Sequence, residues 1–493
     1  MPLPQHLTIG LLSHNPGWEI LLEQIGAIWE VIPAAAQITP ARYSVVIIAH
    51  GAAINAALSQ QLVAYVQEGG SLLEEGRKLS NSIPRAGQMK RERLGSGLLT
   101  RFPFRNGHIL SLGMGVGRQI TDTRAKRQLF AAPSAILPSE IVARQNKGKL
   151  RMLVHQLLSN LHSLHDLPFL TRWRFPNNAP TIFCYRIDSD HGTQPQIEQL
   201  HHLSQAYQLP LTWFLHTEAH QGWLGRFAQF EGDELGLHCH RHRTFKSYGE
   251  NAENIRYALE LLRQHGIAPR GFAAPNGFWN PGLAEAIARC QFLYSSEFSL
   301  GYDDLPFFPW LGWLGRFGTL QVPIHPVSPG NFRRVGATTA QMIEHYETML
   351  QIKLRAAEPV IFYHHPTHEQ WGVTEAIFAS VRHHNIPAMT MSQYAEWWTR
   401  RSKASVRATI QNGVLTVATQ STDDGGDAPD DLQISIEHRG QKGALIPANA
   451  TVRLDDIQWE SEVYPHPARQ SVPNFNFKML FHSVEDFLTR LRQ

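Results

Sequence analysis

The chain has 493 residues, of which 43% are hydrophobic and 18% are charged, and its formal net charge at pH 7 is +3. This composition is typical of a globular protein with a large apolar core, and the length is enough for about three domains. The small net charge argues against nucleic acid or an anionic membrane surface as a partner. The three scattered cysteines (Cys184, Cys239 and Cys290) do not form a disulfide framework and fit a reducing compartment.

The amino-terminal sequence predicts neither export nor membrane insertion. No basic flank precedes its apolar run and no small-residue cleavage site follows it. No apolar run in the chain approaches the ~20 residues that a membrane-spanning helix needs. We therefore expect a cytoplasmic protein without a membrane span, and the sequence indicates no particular oligomeric state.

Residues 1–135 alternate predicted strands and helices. LTIGLLS and YSVVIIAHG are typical of buried strands, and WEILLEQIGAIWEVI of an amphipathic helix that leads into a strand. A second helix ends at Gly69 and Gly70, before the strand SLLEEG. This alternation predicts a doubly wound α/β domain with a parallel sheet. The basic, turn-rich residues 79–107 are predicted to form a solvated loop.

The order of elements in this first domain resembles the glutamine-amidotransferase-like fold. In that family, the strand after the paired glycines leads into a turn that carries a cysteine nucleophile. Here the corresponding segment, LLEEGRK, contains Glu74 and Glu75 and no cysteine. The resemblance therefore implies a non-catalytic domain with a structural or binding role.

Residues 136–175 are predicted to form a helical connector, because LRMLVHQLLSNLHSLHDLP has apolar residues at helical spacing. We expect His155, His162 and His165 on this helix to be packing or surface residues.

Strands and helices alternate again from 176 to 402. The predicted strands are TIFCYRID, LTWFLH, ELGLH, GFAAP, FLYSS, LQVPIH, PVIFYHH and PAMTM. So many βα units in one domain favour a distorted (β/α) barrel, and polar residues gather at the carboxyl ends of its strands, where the active sites of barrels lie.

Residues 403–493 have a different pattern. Apolar and polar residues alternate between turn signals, which predicts a small β-sandwich-like domain of antiparallel strands. The last ten residues, VEDFLTRLRQ, predict a short helix. We expect this β-rich domain to serve mainly in packing, with ligand binding as the alternative.

Two acids follow the first predicted strand of the barrel. Asp188 and Asp190 close TIFCYRIDSD, and their spacing of two places both side chains on one face, together with Arg186. Two carboxylates this close are unfavourable unless a cation compensates one of them.

A histidine cluster follows a later strand. In HCHRH, a helical turn brings His238 and His242 to one face, whereas an extended strand does so for His238 and His240. Carboxylate and imidazole groups at the ends of buried strands are typical ligands of divalent metals, so the sequence predicts a metal site. Cys239 is interpreted as a buried thiol, with a ligand role as the alternative.

The order of these segments resembles the polysaccharide deacetylase family, the NodB homology domain. That family has an acid pair, an H-x-x-x-H motif, an R-x-P-x-G loop, an acidic or aromatic segment and a late histidine. The resemblance covers about 176–400. Its five segments correspond here to Asp188 with Asp190, His238 with His242, AAPNG from Ala273 to Gly277, Tyr294 to Pro306, and YHHP from Tyr363 to Pro366.

The resemblance implies catalytic roles and a cofactor. It implies Asp188 as the general base that activates water and His365 as the general acid, with His364 as the alternative. It implies one divalent metal, zinc first, with cobalt or nickel as alternatives, and its ligands would be Asp190, His238 and His242.

Further residues are expected around this centre. Ala273 stands where the family has an arginine that orients the base, and Arg186 is expected to substitute for it. His240 is expected to support the ligands from outside. The expected substrate-binding residues are Pro275, Asn276 and Gly277 of the third segment, together with Trp279 and Tyr294. The two aromatic residues are expected because they lie near strand ends, where rings can stack on a sugar, and packing in the core or at the rim is the alternative for each.

Three functions are consistent with these residues. The first is removal of an N-acetyl group from a sugar or polysaccharide, and the second applies the same machinery to a small non-sugar amide. The third is a catalytically silent carbohydrate-binding scaffold. The presence of both Asp188 and His365 favours a hydrolase. The expected partner is therefore a carbohydrate or an N-acetylated small molecule.

Overall fold

The computed structural model describes residues 4–76, 79, 90–94, 97–312, 315–420 and 429–461. The helix predicted at 484–493 lies outside these ranges. The chain divides into two compact units, whose limits differ from the predicted domain limits. The barrel unit contains Thr123–Gly148 and Ala179–Trp398, and the flanking unit contains the described residues of Met1–Asp122, Lys149–Asn178 and Thr399–Val463.

The first sheet of the flanking unit is mainly parallel. Its five parallel strands lie side by side in the order Trp29–Val31, Ile9–Leu11, Val45–Ile48, Ser71–Glu75 and Gly107–Leu112. Numbered along the chain, these strands are arranged 2-1-3-4-5, an order found in doubly wound sheets. The helices that alternate with them are Pro16–Ile25, Ala56–Gln67 and Val116–Ile120.

The prediction of a solvated loop at 79–107 is wrong for the described part of that segment. Lys90–Leu94 and Gly97–Phe104 are antiparallel strands, and the second pairs with Gly107–Leu112. Leu99 is buried, and Phe102 packs partly against the apolar core. The basic residues around these apolar positions obscure the strand pattern, and the pairing itself depends on a sheet built from other segments.

The described residues of the flanking unit also form two antiparallel sheets. Apolar side chains from both, among them Leu170, Leu415 and Ile434, form one core. One sheet has the order Gln5–His6, Ser405–Gln411, Val414–Gln420 and Ala450–Arg453. The other has the order Phe169–Arg172, Gln433–His438, Gln441–Gly443 and Trp459–Ser461, with Ile446–Pro447 beside Gln433–His438. Each sheet thus joins a segment before the barrel to segments after it.

The helix predicted in the connector is present as Lys147–Ser163. His155 is buried with its Nε2 2.5 Å from Glu437 Oε1, and His162 is buried with its Nε2 2.9 Å from Ser44 Oγ. These histidines are packing residues, as predicted.

The barrel unit contains a sheet of seven parallel strands within the described residues. Every residue of Phe183–Asp188 and Leu211–His216 is buried, which is expected of parallel strands covered on both faces. The spatial order is Leu320–Gln321, Tyr294–Ser295, Gly271–Phe272, Glu234–Cys239, Leu211–His216, Phe183–Asp188 and Val360–His364.

Within the described residues, seven helices follow or connect these strands. None of the helices in the described ranges has the length and apolar character that crossing a lipid bilayer requires. They are Gln194–Ala206, Tyr248–Gln264, Pro281–Arg289, Pro329–Arg334, Thr339–Arg355, Trp371–His383 and Met391–Lys403. Short 3-10 helices occur at Pro133–Ala135, Pro176–Asn178, Leu224–Gln229, Pro275–Gly277, Pro366–His368 and Leu454–Asp456.

The two outermost strands of this sheet approach each other, so the sheet curls into a distorted barrel. His325, which follows Leu320–Gln321, donates its backbone N–H to the carbonyl of Ile361 at 2.9 Å. The predicted eighth strand, PAMTM, is not a strand, because Ala388 forms only an isolated bridge with Phe183. A hairpin of Ala125–Leu129 and Ser139–Ala143 also belongs to the barrel unit, although it precedes the barrel in sequence.

Candidate functional site

The acid pair leaves the Phe183–Asp188 strand through a tight turn. Asp190 has a left-handed backbone conformation with φ of 41°, which aspartate and asparagine adopt more readily than most residues. Ser189 between the acids donates its N–H to the carbonyl of Phe214 at 3.0 Å and accepts the N–H of His216 at 3.0 Å. The turn is therefore fixed to the neighbouring strand at Ser189, while both acids line one cavity.

Asp190, His238 and His242 meet at this edge of the sheet. Asp190 Oδ1 lies 3.2 Å from His238 Nε2 and 3.1 Å from His242 Nε2, and the two nitrogens are 3.2 Å apart. Around a tetrahedral zinc with ligands at about 2.0 Å, neighbouring ligand atoms are about 3.3 Å apart. The three atoms thus form a triangle of the size that one such ion requires. Among the described residues, these three side chains are the cluster of potential ligands that could hold a metal ion.

The surroundings of His238 orient its ring. His238 Nδ1 lies 2.7 Å from the carbonyl oxygen of Ala273. When Nδ1–H donates to this carbonyl, the lone pair of Nε2 points toward Asp190 and His242, an arrangement that is common for metal-ligating histidines. Ala273, which stands where the deacetylase family has an arginine, therefore contacts the candidate ligand His238 through its backbone carbonyl.

His240 and Cys239 lie outside the triangle. His240 Nδ1 is 3.1 Å from Thr217 Oγ1, and its ring packs 4.4 Å from the ring of Tyr257. The structure brings His238 and His242 together, the pair predicted for a helical turn, but it does so through a bend that follows the Glu234–Cys239 strand and not through a helix. Cys239 is a buried thiol that is not part of the candidate ligand group.

Electrostatic interactions favour a cation at this triangle. Burial raises the pKa of Asp190, but the charge of His365 and hydrogen bonds from His238 and His242 hold it well below its ordinary value. Burial lowers the pKa of His242, but its hydrogen bond with Asp190 raises the pKa above the ordinary value. The site therefore keeps its carboxylate ionised and stabilises positive charge next to it.

Arg186 holds Asp188 with two parallel hydrogen bonds. Its Nε donates to Oδ1 at 2.6 Å, and its Nη2 donates to Oδ2 at 2.7 Å. Its Nη1 donates to the carbonyl and hydroxyl oxygens of Ser296 at 2.6 and 3.1 Å. Burial raises the pKa of Asp188, but the charge and hydrogen bonds of Arg186 lower it by more. The pKa of Asp188 therefore lies below its ordinary value. Arg186 thus makes the contact expected of a substitute for the missing arginine.

His365 approaches the acids from another strand. Its Nε2 lies 3.5 Å from Asp190 Oδ2 and 3.9 Å from Asp188 Oδ2. Its ring packs against those of His368 and Tyr363, with centroid distances of 4.7 and 5.4 Å. His365 therefore shares the cavity with both acids.

His364, predicted as the alternative acid, is turned away from the cavity. It is completely buried, and its Nε2 lies 2.8 Å from the carbonyl oxygen of Glu369. Burial and the charge of His365 lower its pKa to about 3. Because neighbouring side chains in an extended segment point in opposite directions, only one of the two histidines reaches the acids.

Two of the predicted substrate-binding residues line a cavity of about 170 Å³ beside the acids, namely Asn276 and Gly277. Pro275 is buried and begins the 3-10 turn that carries them. Gly277 has φ of 59°, and a Cβ there would lie 2.4 Å from the ring of Phe298. A glycine is therefore required for this close approach.

Tyr294 and Trp279 are not lining residues of this cavity. Tyr294 is completely buried and donates its hydroxyl to Glu234 Oε1 at 2.9 Å, so its prediction as a substrate contact is corrected to a core position. The backbone N–H of Trp279 donates to Ser299 Oγ at 2.8 Å. Both were predicted from their nearness in sequence to strand ends, which does not determine the side-chain direction.

Sequence reasoning missed several lining residues. The loop HPVSPGNFRR follows a barrel strand, and the active-site residues of barrels lie in such loops. Its position in the sequence was therefore a signal that Ser328, Asn331 and Arg334 could line the cavity. No sequence signal pointed to Glu140, because it precedes the barrel. The other lining residues that were missed are Phe298, Gly330, Tyr363 and His368.

Comparisons with known proteins give distant matches. The chain matches no protein-family model and no curated protein. Among solved structures, it is similar to a putative polysaccharide deacetylase from Mycobacterium smegmatis, with 17% identity, a TM-score of 0.40, and coverage of 45% of this chain and 91% of that chain. A probable polysaccharide deacetylase from Pseudomonas aeruginosa PAO1 matches with 15% identity, a TM-score of 0.40 and coverage of 46% and 93%. Puue allantoinase matches with 14% identity, a TM-score of 0.40 and coverage of 46% and 92%. These values assign neither a family nor an activity to this chain.

Proposed function

We propose that this chain is a metal-dependent hydrolase that removes an N-acetyl group from a sugar or polysaccharide. The observation that carries the proposal is the meeting of five side chains at one edge of the barrel sheet. Asp190, His238 and His242 have the spacing of metal ligands. Asp188 and His365 lie next to them without belonging to the ligand triangle.

Asp188 is suited to accept a proton from the attacking water. When bound, a divalent ion supplies Lewis-acid polarisation of the scissile amide and of water. The two hydrogen bonds from Arg186 fix the orientation of the Asp188 carboxylate, and its lowered pKa keeps it ionised at neutral pH. An ionised and oriented carboxylate within this cavity can act as a general base.

His365 is suited to protonate the leaving nitrogen. Water adds its oxygen to the acyl carbon, the carbon–nitrogen bond breaks, and the nitrogen leaves as an amine with one additional proton. The Nε2 of His365 lies 3.5 Å from Asp190 Oδ2 and 3.9 Å from Asp188 Oδ2, beside the proposed base. A base and an acid that line one cavity are what general acid–base hydrolysis of an amide requires.

The cavity volume favours a second candidate substrate class for the same machinery, a small non-sugar amide. The volume of about 170 Å³ is smaller than the roughly 300–1,000 Å³ of pockets for drug-sized ligands. Such a chamber holds one small amide or the terminal unit of a longer chain.

Metal analysis and acetate release test the proposal. We expect about one equivalent of zinc, cobalt or nickel in the reconstituted wild-type protein and none in Asp190→Ala. The loaded protein should release acetate from N-acetylglucosamine, from its oligomers or from N-butylacetamide, and the preferred compound identifies the class. A protein that binds none of the three metals would contradict metal dependence. Metal binding without acetate release would favour the silent carbohydrate-binding scaffold.

A further inference from the structure

A basic loop, residues 241–247, lies beside the candidate metal site. The candidate ligand His242 stands between Arg241 and Arg243, and Lys246 follows in the same loop. The three cationic side chains are exposed, whereas His242 lines the cavity. The loop therefore carries three positive charges close to a cavity-lining side chain.

Two buried asparagines of the helix that follows the loop fix its backbone. Asn254 accepts the N–H of Arg241 at 2.8 Å and donates to the carbonyl of the same residue at 3.3 Å. Asn251 accepts the N–H of Phe245 at 3.0 Å and donates to its carbonyl at 2.8 Å. The guanidinium carbon of Arg243 lies 5.4 Å from the centroid of the Phe245 ring, a cation–π contact. Buried amides that use both oxygen and nitrogen thus hold the cationic residues at defined positions.

The basic loop also packs against a segment that follows a wall of the cavity. The Nδ2 of Asn280 donates to the carbonyl of Phe245 at 2.9 Å. A Cβ at Gly282 would lie 2.5 Å from the carbonyl oxygen of Lys246, so the two backbones are in close contact. Asn276, a few positions earlier in this segment, lines the cavity. A substrate chain that extends from the cavity over this wall therefore meets the basic loop.

Among the described residues, the three cations of the basic loop form no ion pair with a carboxylate. Glu250, in the first turn of the following helix, accepts the hydroxyl of Ser247 at 2.6 Å. Glu218 lies next to the loop, where its backbone N–H donates to the carbonyl of His240 at 3.3 Å. The basic loop therefore presents positive charge to an approaching ligand.

We propose that the basic loop binds an anionic group of the substrate, so that the preferred substrate is an N-acetylated glycan with a carboxylate or sulfate group near the reacting unit. The inference rests on the proposed function, because the N-acetyl unit of this glycan would occupy the candidate site. Positive charges held close together repel one another and a neighbouring metal ion, and an anionic ligand compensates both effects. Guanidinium groups also form paired, charge-assisted hydrogen bonds with oxyanions.

Equilibrium binding tests this inference separately from catalysis. Calorimetric titration of the zinc-loaded protein at low ionic strength would compare N-acetylchitotetraose, which is neutral, with a hyaluronan tetrasaccharide, which has carboxylates, and with its sulfated derivative. In wild type, we expect at least one anionic tetrasaccharide to bind about tenfold more tightly than the neutral one. This preference should decrease with added salt, because exposed charges are screened beyond ~10 Å at an ionic strength of about 0.1 M.

Removal of the charges should abolish the preference. The triple variant Arg241→Gln/Arg243→Gln/Lys246→Gln should bind the anionic and neutral tetrasaccharides with similar affinity. A preference for hyaluronan itself assigns the carboxylate, and a preference confined to the sulfated derivative assigns the sulfate. The matched control Arg355→Gln/Arg400→Gln/Arg407→Gln removes three exposed charges elsewhere and should keep the preference of wild type.

Circular dichroism and zinc analysis confirm that each variant is folded and loaded, since two of the substituted residues adjoin His242. Lys246→Gln, which is further from this ligand in the chain, should reduce the preference by itself and provides the test if the triple variant does not fold. Arg241→Lys/Arg243→Lys keeps the charges and should retain most of the preference.

Three results would overturn the inference. One is a wild-type protein that binds neither anionic tetrasaccharide more tightly than the neutral one. Another is an equal loss of affinity for all three tetrasaccharides in the triple variant. The third is tighter binding of an oligothymidylate than of both anionic tetrasaccharides, which would make the loop a nucleic-acid surface. Acetate release is measured in parallel: preference without release rejects the proposed hydrolase but keeps the role of the basic loop, whereas release without preference does the reverse.

Discussion

In each unit of the molecule, two acidic residues lie at the carboxyl end of a parallel strand. The two pairs of acids have different partners. At the end of Ser71–Glu75, Glu75 accepts the backbone N–H groups of His50 at 2.7 Å and Gly117 at 3.0 Å, one on each oxygen. Glu74 accepts the backbone N–H of Leu79 at 2.9 Å. Both glutamates are buried.

The partners of the acids in the barrel unit are ionisable side chains. Asp188 is held by the guanidinium of Arg186, and Asp190 faces the imidazoles of His238 and His242. Backbone N–H groups cannot leave without disrupting the fold, whereas an imidazole can exchange a proton for a metal ion. Asp190 thus has partners that can give way to a metal ion, whereas Glu74 and Glu75 are held by backbone N–H groups that cannot.

The largest effect that would sharpen this contrast is expected for Asp190→Asn. Losing one of the three proposed ligands should reduce the bound metal to below about a tenth of an equivalent and abolish acetate release, because in the proposed mechanism the metal supplies the Lewis acid. Elemental analysis and acetate assays measure both quantities. Glu75→Gln is the matched control and should retain the metal, so metal loss in both variants would contradict the contrast.

Asp188→Asn should reduce kcat by about 10²–10⁴-fold, the usual contribution of a general base, while about one equivalent of metal stays bound. Steady-state kinetics and elemental analysis check the two expectations. An unchanged kcat would remove Asp188 from the mechanism, and loss of the metal would make Asp188 a ligand.

Arg186→Ala should destabilise the protein by about 3–5 kcal/mol, because it leaves the buried Asp188 carboxylate without its ionic partner. Urea unfolding measures this free energy, and kcat should fall with it because the carboxylate is no longer oriented. Arg263→Ala, which breaks an exposed ion pair, serves as the control and should change stability by less than about 1 kcal/mol. Equal stabilities of the two variants would contradict the structural role of Arg186.

Glu75→Ala should lower the free energy of unfolding by about 1–3 kcal/mol, because two buried N–H groups lose their acceptor. Metal content should not change. Urea unfolding and elemental analysis of the variant test both statements, and an altered metal content would show that this strand end affects the candidate site.

The smallest effect is a pH dependence confined to acid conditions. Arg186 holds the folded-state pKa of Asp188 below its ordinary value, so the unfolded chain takes up the proton first as the pH falls. The stabilisation is complete above the unfolded pKa of about 3.9 and is lost as the pH falls through the lower folded value. Urea unfolding should therefore give a constant difference between wild type and Asp188→Asn from pH 7 to 5 and a decreasing one below about pH 4. A decrease that begins above pH 5 would disagree with this assignment.

The sequence by itself indicated the barrel strands and the residues of the ligand triangle. Buried strands and acids two positions apart are local patterns, whereas the spacing in HCHRH left two histidine pairings open, and the family resemblance selected His238 with His242. The choice of Arg186 as the partner of Asp188 was also predictable, because both lie on the same face of one strand.

Only the tertiary structure decided which residues complete the site. It directed His365 rather than His364 toward the acids, placed Tyr294 in the core against Glu234, and brought Glu140 to the cavity through Asn331. Asn331 is 191 positions from Glu140 in the chain. Contacts over such separations depend on how completed strands and loops pack, and no local periodicity in the sequence records that packing.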